Sequence, residues 1–337
     1  MTRERSSTAI NMPIRRVYVT GGAGMIGRRL VACLVRRGLD VAVLDDLSSG
    51  LPMPALAAVT TRCDIRDEAG LGQALSDFRP DAVVHLAALH HIPTCEAQRA
   101  LCLDINVSGT ERVLAAAEAA GVGKVVIASS GAVYAWSEEA LGEDSSPTDA
   151  RDNYALSKLC NEHQLRLWCE RSGRRGRVAR IFNTLAGDDP NAHLLPDILQ
   201  QLQAAHGVTA SLRLGNLLPR RDYVHADEVA EGLVAILLDQ RPVAFDVFNL
   251  CSGQEHAVAE VAEQLAACLG QSVRIEVDEA RRRRSDRPSQ LGDPAKTAQL
   301  LGWRARLPLR QALERLVTER GLSTHAQGLS SGGGRDS

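Results

Sequence analysis

The sequence reads Thr20-Gly21-Gly22-Ala23-Gly24-Met25-Ile26-Gly27 where a short apolar run, 16–20, meets a stretch of helical periodicity, 25–37. Glycines at 21, 24 and 27 allow the backbone to turn tightly, to approach a pyrophosphate closely, and to pack the helix against the strand. The helix then directs bare N–H groups and the positive end of its dipole toward the phosphates. The stretch 20–27 therefore predicts a dinucleotide-binding loop.

Strand and helix patterns continue to alternate beyond this loop. Short apolar runs predict buried strands at 40–44, 82–86, 124–129 and 177–182, and helical patterns cover 68–78, 104–120 and 153–172. Repeated strand–helix units connect through right-handed crossovers and build a parallel sheet with helices on both faces. We expect an α/β fold, a Rossmann-type doubly wound parallel sheet with a smaller C-terminal substrate-binding region.

The second strand ends in two acidic residues, Asp45 and Asp46, and Asp45 follows Gly27 by 18 positions. A carboxylate about 20 residues beyond the glycine motif accepts hydrogen bonds from a free ribose 2′-hydroxyl. It repels a 2′-phosphate, and no arginine adjoins it in the sequence, so NAD is the expected cofactor rather than NADP. Asp64 and Ile65 follow the expected third strand and either meet the adenine or form an ordinary turn.

Charge and cysteine content exclude several functional classes. The formal net charge is −2, which provides no broad basic field for nucleic acid or an anionic membrane. The eight cysteines form no C-x-x-C pair and no zinc-like cluster with histidine, as expected of reduced thiols in a cytoplasmic protein without a bound metal. No apolar run approaches the ~18 residues of a membrane span.

Composition also indicates how the chain is organised. We expect a flexible arm over the polar residues 1–12 and a disordered tail over the Gly/Ser-rich residues 323–337. The NAD-binding domain is expected at 13–182, with 220–252 returning to it. After Asn183 the alternation weakens, and a shorter Leu-rich helix at 196–205 is followed by turns and an Arg-rich stretch. We assign 183–219 and 253–322 to the substrate-binding region, over the carboxyl ends of the strands.

Tyr154, Lys158 and Ser130 are the candidate catalytic residues. Tyr154 and Lys158 are four residues apart at the start of a predicted helix, and this spacing puts both on one face. An ammonium beside a phenol lowers the phenol's pKa, so the tyrosine can take a proton from a substrate hydroxyl while hydride leaves the same carbon. Ser130 follows the strand 124–129 and is placed to bond the same oxygen. An ordinary surface Tyr–Lys pair and a capping serine are the alternatives.

Together these motifs resemble the extended short-chain dehydrogenase/reductases of the NAD-dependent epimerase/dehydratase family. The resemblance covers roughly residues 14–320, in family order. The matching segments are 20–27, His85-Leu86-Ala87-Ala88, Asn106-Val107-Ser108-Gly109-Thr110, 129–134, Tyr154 with Lys158, Phe182-Asn183, and Arg221-Asp222-Tyr223-Val224-His225.

The resemblance implies a set of binding residues. The expected cofactor-binding residues are Gly21, Gly24, Met25, Ile26, Gly27, Asp45, Asp46, Asp64, Ile65, Leu86, Ala87, Ala88, Asn106, Tyr154, Lys158 and Phe182, with Asn106 steadying the structure nearby. The expected substrate-binding residues are Ser130, Asn183, Arg221, Arg283 and Asp286, and most of these would hold a nucleotide diphosphate. A solvated charge patch is the alternative interpretation of the arginine run 281–284.

The residues after Ser130 distinguish the reactions of the family. Its dehydratases carry Thr-Asp-Glu before Val-Tyr, whereas here Gly131 and Ala132 fill the acidic positions and cannot move protons. The chain therefore resembles the 4-epimerases, which implies NAD-dependent epimerisation at C4 of a nucleotide-activated sugar through a transient 4-keto intermediate, with Tyr154 as base. A homodimer through the helices 104–120 and 153–172 is implied as well.

Several features leave alternatives open. The segment Leu214-Gly215-Asn216-Leu217 resembles GDP-mannose dehydratase-type members, so UDP, GDP and dTDP all remain candidate nucleotides. His90 and His91 are either loop residues or a second acid/base, and Gln290 lies where family members gate the size of the sugar substituent. The rival functions are another NAD-dependent nucleotide-sugar oxidoreductase or dehydratase, and a non-catalytic NAD-binding sensor.

Overall fold

The structure, a computed structural model, describes residues 13–190, 194–205, 208–282 and 287–322. The arm and tail expected at 1–12 and 323–337 lie outside these residues. The strands are β1 (Arg16–Thr20), β2 (Asp40–Asp45), β3 (Val59–Arg62), β4 (Ala82–His85), β5 (Lys124–Ser130), β6 (Arg175–Ile181), β7 (Asn183–Leu185), β8 (Thr209–Leu214), β9 (Arg220–His225), β10 (Phe245–Leu250), β11 (Glu255–Ala257), β12 (Ser272–Val277) and β13 (Ser289–Gln290).

The helices alternate with these strands along most of the chain. They are α1 (Met25–Arg36), α2 (Glu68–Phe78), α3 (Ile92–Ala97), α4 (Arg99–Leu103), α5 (Gly109–Ala119), α6 (Asn153–Ser172), α7 (Leu194–Ala204), α8 (Ala226–Leu237), α9 (Val258–Cys268), α10 (Ala295–Leu301) and α11 (Leu309–Glu319). Within the described residues, no helix is long and apolar enough to cross a membrane.

The main sheet has seven strands in the order β10-β6-β5-β4-β1-β2-β3, and all of its pairs are parallel. The chain leaves β1 toward one edge through β2 and β3, and then returns to the other side through β4, β5 and β6. This reversal beside β1 makes the crevice in which doubly wound sheets bind ligands. The predicted fold class is confirmed.

Burial on both faces explains why the central strands are continuous apolar runs. Because side chains alternate along a strand, Val17 and Val19 pack on one face with α1 and α8. Tyr18 lies on the other face, in the core that contains Leu71 of α2 and Trp168 of α6. Two apolar layers thus fix the sheet between its helices.

A smaller region lies beyond the main sheet. Strands β7, β9, β11 and β13 form one small sheet and β8 pairs with β12, while α7, α9 and α11 contribute to a separate apolar core. Of the segment expected to return to the large sheet, 220–252, strand β10 does so and α8 packs on it. Strand β9 instead pairs with β7, β11 and β13. In this position the buried Asp222 carboxylate accepts bonds from the backbone N–H groups of Ser252 at 2.7 Å, Gly253 at 2.9 Å and Gly292 at 3.3 Å.

The predicted helix 104–120 is interrupted at its start. A π-helical turn covers Asp104–Ser108 and precedes α5. At this turn the carbonyl of Asn106 accepts bonds from Thr110 Oγ1 at 2.6 Å and from Asn161 Nδ2 at 2.7 Å. Side-chain donors therefore bond a carbonyl that the π turn moves out of the regular helical hydrogen-bond pattern. The periodicity of apolar residues does not reveal this detail.

Candidate active site

A cavity of about 1080 Å³ lies at the carboxyl ends of the main-sheet strands, and the smaller region forms part of its wall. The predicted cofactor residues line this cavity, with the exception of Asn106. Of the predicted substrate residues, Ser130, Asn183 and Arg221 line it as well. Arg283 and Asp286 lie outside the described residues.

The glycine loop has the shape that a phosphate cradle needs. Gly21 has a φ of +73°, and a Cβ there would lie 2.5 Å from the backbone nitrogen of Ala87. A Cβ at Gly27 would collide with the Gly21 carbonyl, whereas a Cβ at Gly24 would meet nothing closer than that carbonyl at 3.4 Å. No side chain of the described residues caps α1 at Gly24. The first-turn N–H groups of α1 thus suit a pyrophosphate.

Asp45 ties the end of β2 to this loop. Its Oδ2 accepts a bond from the backbone N–H of Ala23 at 2.9 Å, and its Oδ1 accepts one from Leu47 at 2.8 Å. Burial raises the pKa of the carboxyl group, although both backbone bonds oppose the shift. Since a carboxylate offers about four lone-pair positions, Asp45 retains acceptor capacity toward the cavity.

An arginine that the sequence analysis did not assign to the site also lines the cavity. Arg66 follows β3 and pairs with Asp64 at 2.6 Å and with Asp104 at 3.0 Å. This pairing lowers the pKa of Asp64. Arg66 lies 21 positions beyond Asp45, so no local sequence signal connects it with the end of β2.

Tyr154, Lys158 and Ser130 come together in the middle of the site. The Tyr154 hydroxyl and the Ser130 side chain lie close enough to interact. The Nζ of Lys158 lies 5.8 Å from the centre of the Tyr154 ring and donates to the carbonyl of Ala128 at 2.9 Å. The helical spacing of Tyr154 and Lys158 and the carboxyl end of β5 therefore bring all three side chains to one place.

The pKa of Tyr154 was expected to be lowered by Lys158. When only the protein's own groups are considered, this expectation is wrong. Burial raises the pKa of Tyr154 far above its ordinary value, and the neighbouring Ser130 side chain opposes this shift only in part. Burial also lowers the pKa of Lys158 to about 8. Desolvation favours the neutral form of each group, and it is the largest cause of both shifts. Near neutral pH the pair therefore retains the proton that a general base must lose.

A short 3₁₀ turn, Gly131–Val133, follows Ser130 and is tightly packed. Arg287 donates to the carbonyls of Gly131 and Tyr134, each at 3.3 Å, and to that of Ala135 at 2.9 Å. A Cβ at Gly131 would lie 3.0 Å from Gln290 Nε2 and 3.1 Å from the Phe182 ring. Sequence reasoning missed Arg287 because it follows an arginine-rich stretch that gives no signal for one position.

Asn106, which was grouped with the cofactor-binding residues and expected to steady the structure near them, lies behind the cavity wall. Its Oδ1 accepts a bond from the Leu89 N–H at 2.8 Å, and its Nδ2 donates to the Leu89 carbonyl at 2.9 Å. The same Nδ2 donates to Ser157 Oγ at 2.9 Å. The buried amide thus braces the cavity-lining segment after β4 against α6. His90 and His91 lie in this segment, and His91 Nδ1 is 2.8 Å from Thr94 Oγ1.

The expected substrate handles lie on β7 and β9. Arg221 donates to the carbonyls of Arg220 at 2.9 Å and of Arg287 at 2.7 Å. Asn183 Nδ2 is 3.4 Å from Gln290 Oε1 and 3.3 Å from the Asp222 carbonyl. The cavity wall continues through residues that the sequence analysis did not assign, among them Asp197 and Arg281.

One histidine–carboxylate cluster lies outside the cavity-lining residues and comprises His225, Asp227 and Glu319. Arg29 donates to Asp227 at 3.0 Å, to Glu319 at 2.9 Å and to Asp188 at 2.7 Å. A guanidinium therefore already neutralises these carboxylates, and it ties α1 to α8 and α11.

The fold and the cavity together define a dinucleotide-binding α/β enzyme with a tyrosine, a lysine and a serine at the carboxyl edge of its sheet. Residues 17–251 match the NAD dependent epimerase/dehydratase family, and the chain belongs to this family. NAD is accordingly its cofactor. The predicted family, enzyme class and cofactor are confirmed, whereas the roles of individual site residues stay predictions.

Two relatives and one solved structure illustrate the similarity. A GDP-6-deoxy-D-mannose reductase of Pseudomonas aeruginosa is 30% identical over 311 residues, which is 90% of this chain and 97% of the relative. A UDP-glucose 4-epimerase of Neisseria gonorrhoeae is 32% identical over 327 residues, covering 88% and 95%. The Thermus thermophilus UDP-glucose 4-epimerase in complex with NAD superposes with a TM-score of 0.80 at 28% identity, covering 91% of this chain and 99% of that one.

Proposed function

We propose that the enzyme inverts C4 of a nucleotide-activated sugar without net oxidation, with Tyr154 as the general base. One observation carries the proposal. The Tyr154–Lys158–Ser130 group shares a cavity with the glycine loop and Asp45, while the turn after Ser130 provides no acid. Hydride transfer and its reversal need only a base, a hydroxyl donor and a nicotinamide within one cavity.

The glycine loop and Asp45 would hold the dinucleotide. The Cβ-free surface at Gly24 and the uncapped start of α1 suit the pyrophosphate, and Asp45 retains acceptor capacity for the adenosine ribose. When bound, NAD supplies a hydride acceptor that becomes the hydride donor of the return step. Asn183 and Arg221 would hold the substrate's diphosphate, for which arginine is well suited.

The protein groups then remove one proton from the substrate and later return it. Ser130 and Tyr154, which lie close to each other, would both contact the substrate O4. Tyr154 takes the O4 proton as the 4-keto sugar forms, and Lys158, with its lowered pKa, helps the pair to release a proton to solvent beforehand. After the keto sugar turns over, Tyr154 returns the proton to O4. The cycle leaves every protein group as it began.

Elimination of water would require an acid and a base beyond Tyr154. Gly131 and Ala132 provide neither, and the neighbours of Gly131 leave little space for a side chain there. Among the described residues, the acidic ones that line the cavity are Asp45, Asp46, Asp64, Asp189 and Asp197, and all lie on segments other than this turn. The residue set therefore favours epimerisation over dehydration.

Substrate deuterated at C4 provides the test. We expect C4-inverted product that retains the label, identified by NMR, with flat absorbance at 340 nm over many turnovers. UDP-, GDP- and dTDP-hexoses and hexuronates form the substrate panel. Stoichiometric NADH release would establish a dehydrogenase instead, and a stable 4-keto-6-deoxy product would establish a dehydratase.

A reductase is the second candidate, because the Pseudomonas aeruginosa relative is a GDP-6-deoxy-D-mannose reductase. A reductase uses the same base in one direction only and consumes one NADH per product. Incubation of the enzyme with a nucleotide-linked 4-keto sugar and an excess of free NADH separates the two functions, because an epimerase can use only the one equivalent that stays bound. Loss of absorbance at 340 nm in proportion to product formed would favour the reductase.

The proposal includes a cytoplasmic homodimer built on α5 and α6. Leu156 and Leu167 of α6 are 43% and 52% exposed, and their spacing of three helical turns puts them on one face. A second copy of α6 would cover them. Light scattering behind a sizing column should report twice the chain mass, and Leu167→Glu should yield a monomer. The eight free cysteines suit a reducing cytoplasm.

A further inference from the structure

The cavity wall that the smaller region contributes contains an ion pair with no role in the proton path. Asp197 of α7 and Arg281 of the turn Glu279–Arg281 both line the cavity, and Arg281 Nη1 lies 2.8 Å from Asp197 Oδ2. The side chains are 32% and 45% exposed. An acceptor and a donor are thus presented side by side at the edge of the ligand space.

Backbone contacts hold this pair in place. A Cβ at Gly215 would lie 2.5 Å from the Arg281 carbonyl, so the turn rests directly on the end of β8. Asp278 donates its N–H to the Leu214 carbonyl at 2.7 Å and accepts the N–H of Arg281 at 3.0 Å.

The carboxylate has its own anchor. Asp197 Oδ2 accepts a second bond from Gln201 Nε2 at 3.1 Å. Gln201 is fixed in turn to β8, because its Oε1 accepts the Arg213 N–H at 2.8 Å and its Nε2 donates to the Arg213 carbonyl at 3.2 Å. The carboxylate and the guanidinium are therefore preorganised in the sense that ligand recognition requires.

Apolar side chains beside the pair are suited to the flat faces of a base. Leu195, Leu214 and Val258 line the same cavity and are 6%, 2% and 8% exposed. They belong to α7, β8 and α9, the elements that also make up the core of the smaller region. Apolar side chains and the ion pair therefore line one cavity, as an aromatic base with a polar edge requires.

We infer that the activated sugar is carried on guanosine diphosphate, with Asp197 and Arg281 reading the guanine edge. This inference rests on the proposed nucleotide-sugar function. Guanine presents a ring N–H and an exocyclic amino group side by side, next to the acceptor O6. A carboxylate accepts from the two N–H donors, and an adjacent guanidinium donates to O6.

The same pair disfavours uracil and thymine. Each of these bases has a single ring N–H between two carbonyl oxygens, so a carboxylate that accepts this N–H lies against at least one carbonyl. The repulsion supplies the negative part of specificity, and the charge-assisted bonds to guanine supply the positive part. Charge-assisted bonds contribute about 1.5–3 kcal/mol, which corresponds to roughly tenfold to a hundredfold in affinity.

Calorimetry with GDP, UDP and dTDP on NAD-loaded enzyme tests the inference. We expect the wild type to bind GDP at least tenfold more tightly than UDP or dTDP. Asp197→Asn replaces one acceptor oxygen by a donor amide, so it should weaken GDP binding at least tenfold and leave UDP binding unchanged or stronger. Asp278→Asn is the matched control, because Asp278 lies 3.7 Å from Arg281 Nε but does not line the cavity. It should keep the preference for GDP.

Two results would overturn the inference. Wild-type enzyme that binds UDP or dTDP as tightly as GDP has no guanine site. Equal weakening of all three nucleotides by Asp197→Asn would make the ion pair a structural link between α7 and the turn. Because binding is measured without turnover, failure of the guanine inference can be distinguished from failure of the proposed reaction. A GDP preference without C4 inversion leaves the inference standing and rejects the proposed reaction, and C4 inversion of a tightly bound UDP-sugar does the reverse.

Discussion

Replacing Tyr154 by phenylalanine removes one oxygen atom and separates catalysis from folding. The hydroxyl lies beside Ser130 and is the group proposed to take the substrate proton. General acid–base catalysis contributes about 10²–10⁴-fold, so kcat should fall by at least a hundredfold. The hydroxyl contributes less to the free energy of unfolding, since one neutral hydrogen bond contributes about 0.5–1.5 kcal/mol to stability. We therefore expect a large kinetic loss, a modest change in unfolding free energy, and unchanged NAD affinity.

Tyr134→Phe is the matched control for this substitution. Tyr134 is fully buried four residues beyond Ser130, and its hydroxyl donates to Asn249 Oδ1 at 2.7 Å. Removal of this hydroxyl should reduce stability by a similar or larger amount and leave kcat within about threefold. The assays are NMR of C4 inversion, denaturant unfolding, and calorimetry with NAD. If Tyr154→Phe keeps more than a tenth of the wild-type kcat, or if Tyr134→Phe loses as much, the assignment of the base is wrong.

Three further substitutions probe the cofactor, the proton path and the substrate handle. Wild-type protein should bind NAD⁺ more tightly than NADP⁺ in calorimetry, and Asp45→Ala should reduce the difference between the two affinities. Tighter NADP⁺ binding by the wild type would contradict the assignment of Asp45 to the adenosine ribose. Because the base form accumulates as the pair loses a proton, kcat/KM should rise tenfold per pH unit and level off near the Lys158 pKa of about 8. Lys158→Met should move that inflection above pH 10, since burial leaves Tyr154 with a raised pKa. An unshifted pH profile would show that Lys158 takes no part in the proton path. Arg221→Ala should raise KM for the nucleotide sugar roughly tenfold to a hundredfold and leave NAD affinity unchanged; equal effects on both would identify a structural arginine.

The fold was accessible from the sequence because parallel strands buried on both faces read as short continuous apolar runs. The run at 16–20 matches β1, and the glycine loop follows it directly. The prediction failed where polar contacts determine the backbone. The π turn at Asp104–Ser108 depends on side chains of α5 and α6, and β9 leaves the main sheet although it follows a typical turn and precedes a regular helix.

The candidate site was likewise predictable from the sequence only in part. Short-range spacing was enough to bring Tyr154 next to Lys158, and strand order then brought Ser130 to them. Arg66 and the Asp197–Arg281 pair reach the cavity through contacts between distant segments, and Arg287 supports the turn after Ser130 from outside the cavity lining. No local pattern assigned any of these residues to the site. The pKa of Tyr154 was misjudged for a related reason, because desolvation is a property of the assembled pocket rather than of the Tyr–Lys spacing.

The packing around Gly131 has a consequence for how such a chain can diverge. A new carboxylate at this position would need space that Gln290 and the Phe182 ring now fill, at 3.0 and 3.1 Å from the first added carbon. Gln290 and the Phe182 ring would therefore have to move by a few tenths of an ångström to admit an acid here. A change of chemistry at this turn thus depends on two residues that are distant from it in sequence as well as on the turn itself.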